Sequence, residues 1–218
     1  MIVKNIIQSE PWAKPKNTIC LPLSRQWMWQ KLSEWLIRID MTNEQLAETE
    51  IIVLLDADKT AFKWYSEIYD YLKDLPNFYK VNAIRLIWTE QPALDDKDRI
   101  HMRRARIIQL RQIIQKFTGN SRWFIQFEDD TIPPDFAFKK LLKDIKKLKA
   151  GFVQGIERGR WQSRYAGAWR ADNIENPEYF ESLPMSEGIT EIHGGGAYCF
   201  VCPTELMKQM EFRDDKAC

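Results

Sequence analysis

Short apolar runs that read as buried strands alternate along this chain with longer runs of helical period, and that rhythm constrains the fold more than any other feature. "TICLPL" (18–23), "EIIVLLDAD" (50–58), "KVNAIRLIW" (80–88), "RWFIQFEDD" (122–130) and "AGFVQGIE" (150–157) are the strand-like runs. Between them lie "RQWMWQKLSEWLIRI", "AFKWYSEIYDYLKDL" ended by Pro76, and "RIHMRRARIIQLRQIIQKF" (99–117), where Gly119 suits the C-terminal cap. A further helix opens at Pro133 and Pro134, near a first turn where a missing N–H costs little. Phe138, Leu141, Leu142, Ile145 and Leu148 form its apolar face, and the lysines of "KKLLKDIKKLK" cover the rest as a solvated face. The region 158–194 reads as loop-rich, followed by a strand "AYCFVCP" and a short helix from Thr204. Near-continuous apolar strands joined through helices predict an α/β fold with a mainly parallel sheet flanked by helices on both faces.

In such a sheet, ligands bind outside the carboxyl ends of the strands. Three strand ends here carry polar groups: "PLSR", "DAD" and "EDD". The triplet Glu128, Asp129, Asp130 is the sharpest of them. At an effective dielectric of about 20, two like charges ~4 Å apart repel by about 4 kcal/mol. Either water solvates the triplet as an acidic helix-entry loop, or a divalent cation offsets the repulsion. Asp56 and Asp58 end the second strand, where they either accept from a ligand N–H or hydroxyl or close an Asx turn. On the long helix, Ile100, Ile107, Leu110, Ile114 and Phe117 define a stripe that also takes in Arg103, with Arg104 and Arg106 to either side. An inward guanidinium there needs an anion or a carboxylate partner.

The net charge of +1 excludes a bulk field drawing the protein to nucleic acid or membrane, so any basic surface is local. Basic and aromatic residues do interleave in "RGRWQSRYAGAWRADN", where Arg158, Arg160, Arg164 and Arg170 alternate with Trp161, Tyr165 and Trp169. That pattern suits a phosphorylated or sugar-bearing acceptor, single-stranded nucleic acid, or rings tucked into the core. No apolar run approaches the ~20 residues that span a bilayer. The N-terminus lacks a signal-peptide core, and the expected location is cytoplasmic. Cys199 and Cys202 make a C-x-x-C on an apolar strand, where i and i+3 face opposite sides, and no second pair of ligands accompanies them for zinc.

The order of these features resembles the nucleotide-sugar glycosyltransferases of the GT-A (Rossmann-like) fold, most closely family 2. The resemblance runs over residues 18 to 212 and rests on "LPLSR" (Leu21 to Arg25), "VLLDADKT", "MRRAR" leading into "FEDDTIPP", and "HGGGAYCFV". It implies one domain over 1–218, with a nucleotide-sugar-binding half at 18–157 and an acceptor-side half at 158–218. It implies that Pro22, Leu23, Arg25, Asp56, Asp58, Arg103 and Asp129 contact the nucleotide, with Asp56 reading the base. It implies Mn2+ or Mg2+ on Glu128 and Asp130, with His193 as a further contact to metal or diphosphate. Trp161, Trp169, Gly194, Gly195 and Gly196 would flank the donor sugar and acceptor. Two departures are plain: the triplet begins with Glu, and the acidic motif that carries the catalytic base in this family has only "EFRDD" as a counterpart. The base is therefore expected at Asp214 or Asp215, or beyond Cys218.

The resulting expectation is a divalent-metal-dependent, inverting transfer of a sugar from a UDP- or dTDP-linked donor to an acceptor hydroxyl. A carboxylate reading the base favours uracil or thymine, which offer N3–H. Two rivals come from other classes. One is a nucleotide-sugar-binding domain without its own base; the other is a metal-dependent nuclease or phosphodiesterase using the acids and the basic-aromatic segment on nucleic acid. A nucleotidyltransferase is disfavoured by the missing Gly-rich phosphate loop after the first strand.

Overall fold

The structure, a computed structural model, describes residues 2–8, 14–23, 38–57, 62–73, 80–90, 99–128, 134–155, 165–171, 180–184, 188–195 and 199–212. The strands are β1 (Ile2–Gln8), β2 (Asn17–Leu23), β3 (Thr49–Ala57), β4 (Ala83–Glu90), β5 (Trp123–Phe127), β6 (Val153–Gln154), β7 (Tyr165–Ala171), β8 (Phe180–Pro184), β9 (Gly194–Gly195) and β10 (Cys199–Pro203). The helices are α1 (Asn43–Ala47), α2 (Phe62–Leu72), α3 (Arg99–Phe117), α4 (Ala137–Leu148) and α5 (Thr204–Gln209). A seven-stranded sheet has the order β1-β4-β3-β2-β5-β10-β6, and a three-stranded sheet has the order β8-β7-β9.

The centre of the large sheet is parallel: β4, β3, β2 and β5 run the same way, because each is reached from the last through a crossover. β1 and β10 pair antiparallel at either side, β1 on β4 and β10 between β5 and β6. The mixed but mainly parallel sheet has two apolar faces, and period-two alternation sends successive residues to opposite cores. Ile19, Leu21, Ile51, Val53, Leu55, Ile84, Leu86, Trp88, Ile125 and Phe127 join one core with residues of α2 and α4. Cys20, Ile52, Leu54, Ile87, Phe124 and Phe200 join the other, under α3 and α5. Helices thus cover both faces. On α4, Phe138, Leu141, Leu142 and Ile145 supply the buried stripe, each side chain contributing about 1.5–3 kcal/mol on burial. The C-x-x-C splits as its spacing requires: Cys199 enters the first core and Cys202 the second.

Five local expectations change. The N-terminal β1, an edge strand, carries no strand reading from sequence, because "IVKNIIQ" is short and interrupted by Lys4 and Asn5. The run 150–157 yields strand only at Val153–Gln154 among the described residues. The region read as loop holds β7 and β8, which pair with each other, and Gly194 and Gly195 pair with Trp169 and Ala168. Pro134 stands a turn ahead of α4, whose N-cap is Phe136; the carbonyl of Pro134 accepts from the Ala137 N–H at 3.0 Å. Gly119 is not a left-handed cap, since Gly188 is the glycine of positive φ among the described residues. A Cβ at Gly119 would come within 3.0 Å of Glu50 Oε1, so the position serves a close approach.

That approach belongs to a buried polar network at the amino ends of the strands. Glu50, 1% exposed, accepts from Arg85 Nε at 2.7 Å and from Thr18 Oγ1 at 2.8 Å. Hydroxyls continue it from Thr18 to Ser121 (2.7 Å) and from Ser121 to Thr204 (2.9 Å). The network ties β2, β3 and β4 to the turn before β5 and to the start of α5, which fixes the sheet from the end opposite the acids. The helix read over 25–39 lies mostly outside the described residues.

Candidate functional site at the strand carboxyl ends

Asp56 and Glu128 point to the same side of the sheet, and the reason is parity. Even-numbered residues of β3 (Ile52, Leu54) face the α3 side, and Asp56 continues the series. Phe124 and Gln126 do the same on β5, and Glu128 follows two residues on. β2 lies between the two strands, so the two carboxylates stand two strand spacings, about 10 Å, apart across the sheet. Pro22 and Leu23 end the strand between them, paired in register with Leu54 and Leu55.

Two arginines of α3, five residues apart, reach these carboxylates. Arg106 donates from Nε (3.1 Å) and Nη2 (2.5 Å) to Asp56 Oδ1. Its Nη2 also meets Thr89 Oγ1 (3.1 Å) and the carbonyl oxygen of Glu90 (3.0 Å), and its Nη1 meets Gln109 Oε1 (3.1 Å). Thr89 is the register partner of Asp56 on β4, so strand pairing itself places the hydroxyl beside the ion pair. Arg106 and Asp56 are both buried. Removing either partner would strand a charge away from water, which typically costs about 3–5 kcal/mol.

Further along α3, Arg111 Nη2 donates to Glu128 Oε1 at 3.2 Å while its guanidinium lies 5.6 Å from the centre of the Phe212 ring. Arg111 Nη1 is buried without a hydrogen-bond acceptor among the described residues. Burial lowers the Arg111 pKa from its usual value, and the charge of Glu128 opposes that shift. Glu128 itself is partly open to solvent.

The buried face of α3 therefore differs from the stripe read off its apolar residues. Ile107 is 50% exposed, while Arg106 is 9% exposed. The face runs Arg106, Leu110, Ile113, Ile114, Phe117. Had the stripe been extended back from its C-terminal end by three- and four-residue steps, Arg106 would have fallen on it. Arg103 belongs to α3, but its side chain lies outside the described residues.

Of the other residues read from sequence, Asp58, Arg25, Asp129, Asp130, Trp161, Gly196, Asp214 and Asp215 lie outside the described residues. Trp169 contributes backbone to β7. Arg170 from the basic-aromatic segment donates from Nε to the Glu191 carbonyl at 2.9 Å. His193 is exposed, and its Nδ1 lies 3.0 Å from the Ala171 amide nitrogen and 3.1 Å from the Ala171 carbonyl oxygen. When the amide donates to Nδ1, the neutral ring carries its proton on Nε2; when Nδ1 donates to the carbonyl, the Nε2 lone pair is left for a metal.

Among the described residues there is no group of three or more His, Cys, Asp or Glu able to hold a metal ion. The donor chemistry at the tip of β5 nonetheless fits a hard divalent cation, since Glu128 presents carboxylate oxygen at an open strand end and two aspartates follow it in the sequence. Among the described residues, no helix is long and apolar enough to cross a membrane.

No protein-family model matches the sequence, and no curated protein matches it. Solved structures are similar to this chain. A mannosyltransferase, PcManGT from Pyrobaculum calidifontis, in complex with GDP-Man and Mn2+, aligns with a TM-score of 0.52 at 13% identity, over 93% of this chain and 48% of its own. S. aureus TarS 1–349 aligns at 0.49 and 14% identity, over 89% of this chain and 48% of its own. The 4-diphosphocytidyl-2C-methyl-D-erythritol synthase of Anaerococcus prevotii aligns at 0.46 and 11% identity, over 90% and 74%. This chain thus spans about half the length of the first two. The mainly parallel sheet with helices on both faces is the GT-A, Rossmann-like fold.

Proposed function

We propose that this chain is a nucleotide-sugar-dependent glycosyltransferase of the family 2 type, taking a UDP- or dTDP-linked donor with a divalent metal and inverting the anomeric centre. The observation that carries this reading is the clamped aspartate at the end of β3. Among the described residues both bonds from Arg106 fall on Asp56 Oδ1; Oδ2 is the oxygen that would accept from a base, on a buried carboxylate whose direction the ion pair sets before ligand arrives. Uracil and thymine present N3–H to such an acceptor. Holding the carboxylate in place lowers the ordering cost of binding.

Glu128 and Asp130 would hold the cation, with Asp129 on ribose or metal and His193 as a further contact. When bound, Mn2+ or Mg2+ supplies Lewis-acid stabilisation of the charge that develops on the departing diphosphate. Arg111 holds Glu128 at the rim, and Arg103 is assigned to the nucleotide or its phosphates. Asp214 or Asp215 would take the acceptor hydroxyl's proton as its oxygen bonds to the anomeric carbon, while the bond from that carbon to the diphosphate oxygen breaks. Trp161, Trp169 and the Gly194–Gly196 run are assigned to the sugar and acceptor side.

Thermal-shift titration with UDP, dTDP, GDP and CDP, with and without Mn2+, tests the donor site. Metal-dependent stabilisation by UDP or dTDP is expected, followed by release of free diphosphate from the matching nucleotide sugar. Stabilisation without release would assign the chain to binding alone. Cleavage of an oligonucleotide in the absence of any nucleotide sugar would replace the proposal with a nuclease.

A further inference from the structure

We infer that the outer face of α4 docks the protein onto an anionic lipid surface. Between Ala137 and Lys149 the chain carries six lysines and one aspartate, a net +5 in a molecule whose total is +1. The rest of the protein is therefore net acidic overall; α3 also carries six lysines and arginines and no acid, but its Arg106 and Arg111 turn to Asp56 and Glu128, whereas the lysines of α4 are exposed. The structure sorts this element cleanly. Phe138, Leu141, Leu142 and Ile145 are buried against the sheet, while Lys139, Lys140, Lys143, Lys146, Lys147 and Lys149 are exposed. Among the described residues, Lys140 is the one lysine of the six in an ion pair, with Asp144 at 2.6 Å. Asp135, two residues before the segment, is paired with Arg38. The Lys139 backbone N–H donates to Asp40 Oδ1 (3.1 Å), which holds that end of the helix.

A solvated helix needs no such concentration, and it gains nothing from exposing large apolar groups. Phe136 is 61% exposed and Leu148 42%, one at each end of a helix about 18 Å long. Phe136 stands four, seven and eleven residues before Lys140, Lys143 and Lys147, so it shares their line on the helix surface. An apolar wedge in line with a row of ammonium groups matches a plane of anionic headgroups over acyl chains. Roughly four to eight basic residues on one amphipathic helix is the range associated with acidic-lipid binding. Single-stranded nucleic acid is the poorer fit, because the row holds point-charge ammoniums with no guanidinium among them, and Phe136 at its end gives a single ring rather than a succession of planes for bases to stack on. This surface is peripheral, and it stands whether or not the strand-end site transfers sugar.

Flotation of the full chain with vesicles tests it, using phosphatidylcholine alone and phosphatidylcholine with about a third phosphatidylglycerol. Recovery with the acidic vesicles is expected to exceed that with neutral ones by about tenfold, and to collapse when salt is raised from about 0.1 M to about 1 M. The double variant Lys143→Glu/Lys147→Glu should lose this binding, and Phe136→Ser should weaken it; all three positions face outward, so circular dichroism and melting should match the parent. Equal recovery on both vesicle types, or unchanged recovery of the double variant, overturns the proposal. Binding of a single-stranded oligonucleotide that the double variant abolishes, with acidic vesicles ignored, also overturns it and assigns the face to a soluble polyanion.

Discussion

Arg106 and Asp56 form a buried ion pair that joins the middle of α3 to the end of β3, with Thr89 Oγ1 and the Glu90 carbonyl completing the shell around the guanidinium. A single arginine thus binds helix to sheet and aims the aspartate. Arg106→Met leaves Asp56 buried without its partner and should destabilise the fold by about 3–5 kcal/mol. In Arg106→Met/Asp56→Asn both charges are gone, and much of that loss should return, read by urea denaturation. Nucleotide affinity should not return, falling at least about tenfold, or about 1.4 kcal/mol, in both variants. Recovery of nucleotide affinity in the double variant would show that Asp56 is structural only.

The acids at the tip of β5 are separable by the same logic. Asp130→Ala should abolish the Mn2+-dependent part of nucleotide stabilisation, and EDTA should abolish it in the parent, both read as a lost ligand-induced rise in melting temperature. Glu128→Gln removes the charge that Arg111 meets while keeping an oxygen at 128, so a partial loss is expected. An Asp130→Ala protein with a full Mn2+-dependent shift would move the metal elsewhere.

The sheet was legible because its strands are buried on both sides, and a buried parallel strand leaves an unbroken apolar run. Residues 50–57 state both the strand and the acid at its end. α3 was legible in extent, from Arg99 to Phe117, but not in rotation. Arg106 is buried because Asp56 and Thr89 neutralise and solvate it, and a hydrophobic stripe is blind to a charge buried with its partner. Arg111 escaped for the same reason, its counterion being Glu128, 17 residues on. β1 escaped because an edge strand tolerates polar residues, and the β7–β8 pair because it belongs to a small three-stranded sheet of short strands, so "IVKNIIQ" and "YAGAWRA" carry little continuous apolar signal. Gly119 was noticed as a glycine but assigned the wrong job: it is required by Glu50, 69 residues earlier, which no local rule reaches.

Gly155 offers a direct test of packing between β6 and β10. A Cβ there would lie 2.8 Å from Cys199 Sγ, a buried side chain with little freedom to withdraw. Gly155→Ala should cost about 1–3 kcal/mol through overpacking. Adding Cys199→Ala removes the sulfur it collides with, so the double variant should be more stable than additivity of the two single changes allows. Strict additivity in a double-mutant cycle would mean that the contact is not the source of the cost.

The buried thiols make a prediction about alkaline stability. Burial pushes the Cys202 thiol up to about 12 from an ordinary 9.0, against a smaller opposing contribution from a backbone hydrogen bond at Met207. Cys20 is raised too, by burial, with Arg111 partly opposing the shift. A raised native pKa means that the folded protein keeps a proton the unfolded chain releases. The stabilisation is therefore complete below pH 9.0 and drains away as the pH climbs toward about 12, by about 1.4 kcal/mol per pH unit for one thiol. Cys202→Val removes that titration while keeping an apolar group in place. The stability difference between parent and variant should be flat below pH 9.0 and then move in the variant's favour, read from urea midpoints at stepped pH. A difference that stays flat through pH 11 would mean that Cys202 ionises as readily folded as unfolded, and that the second core admits water.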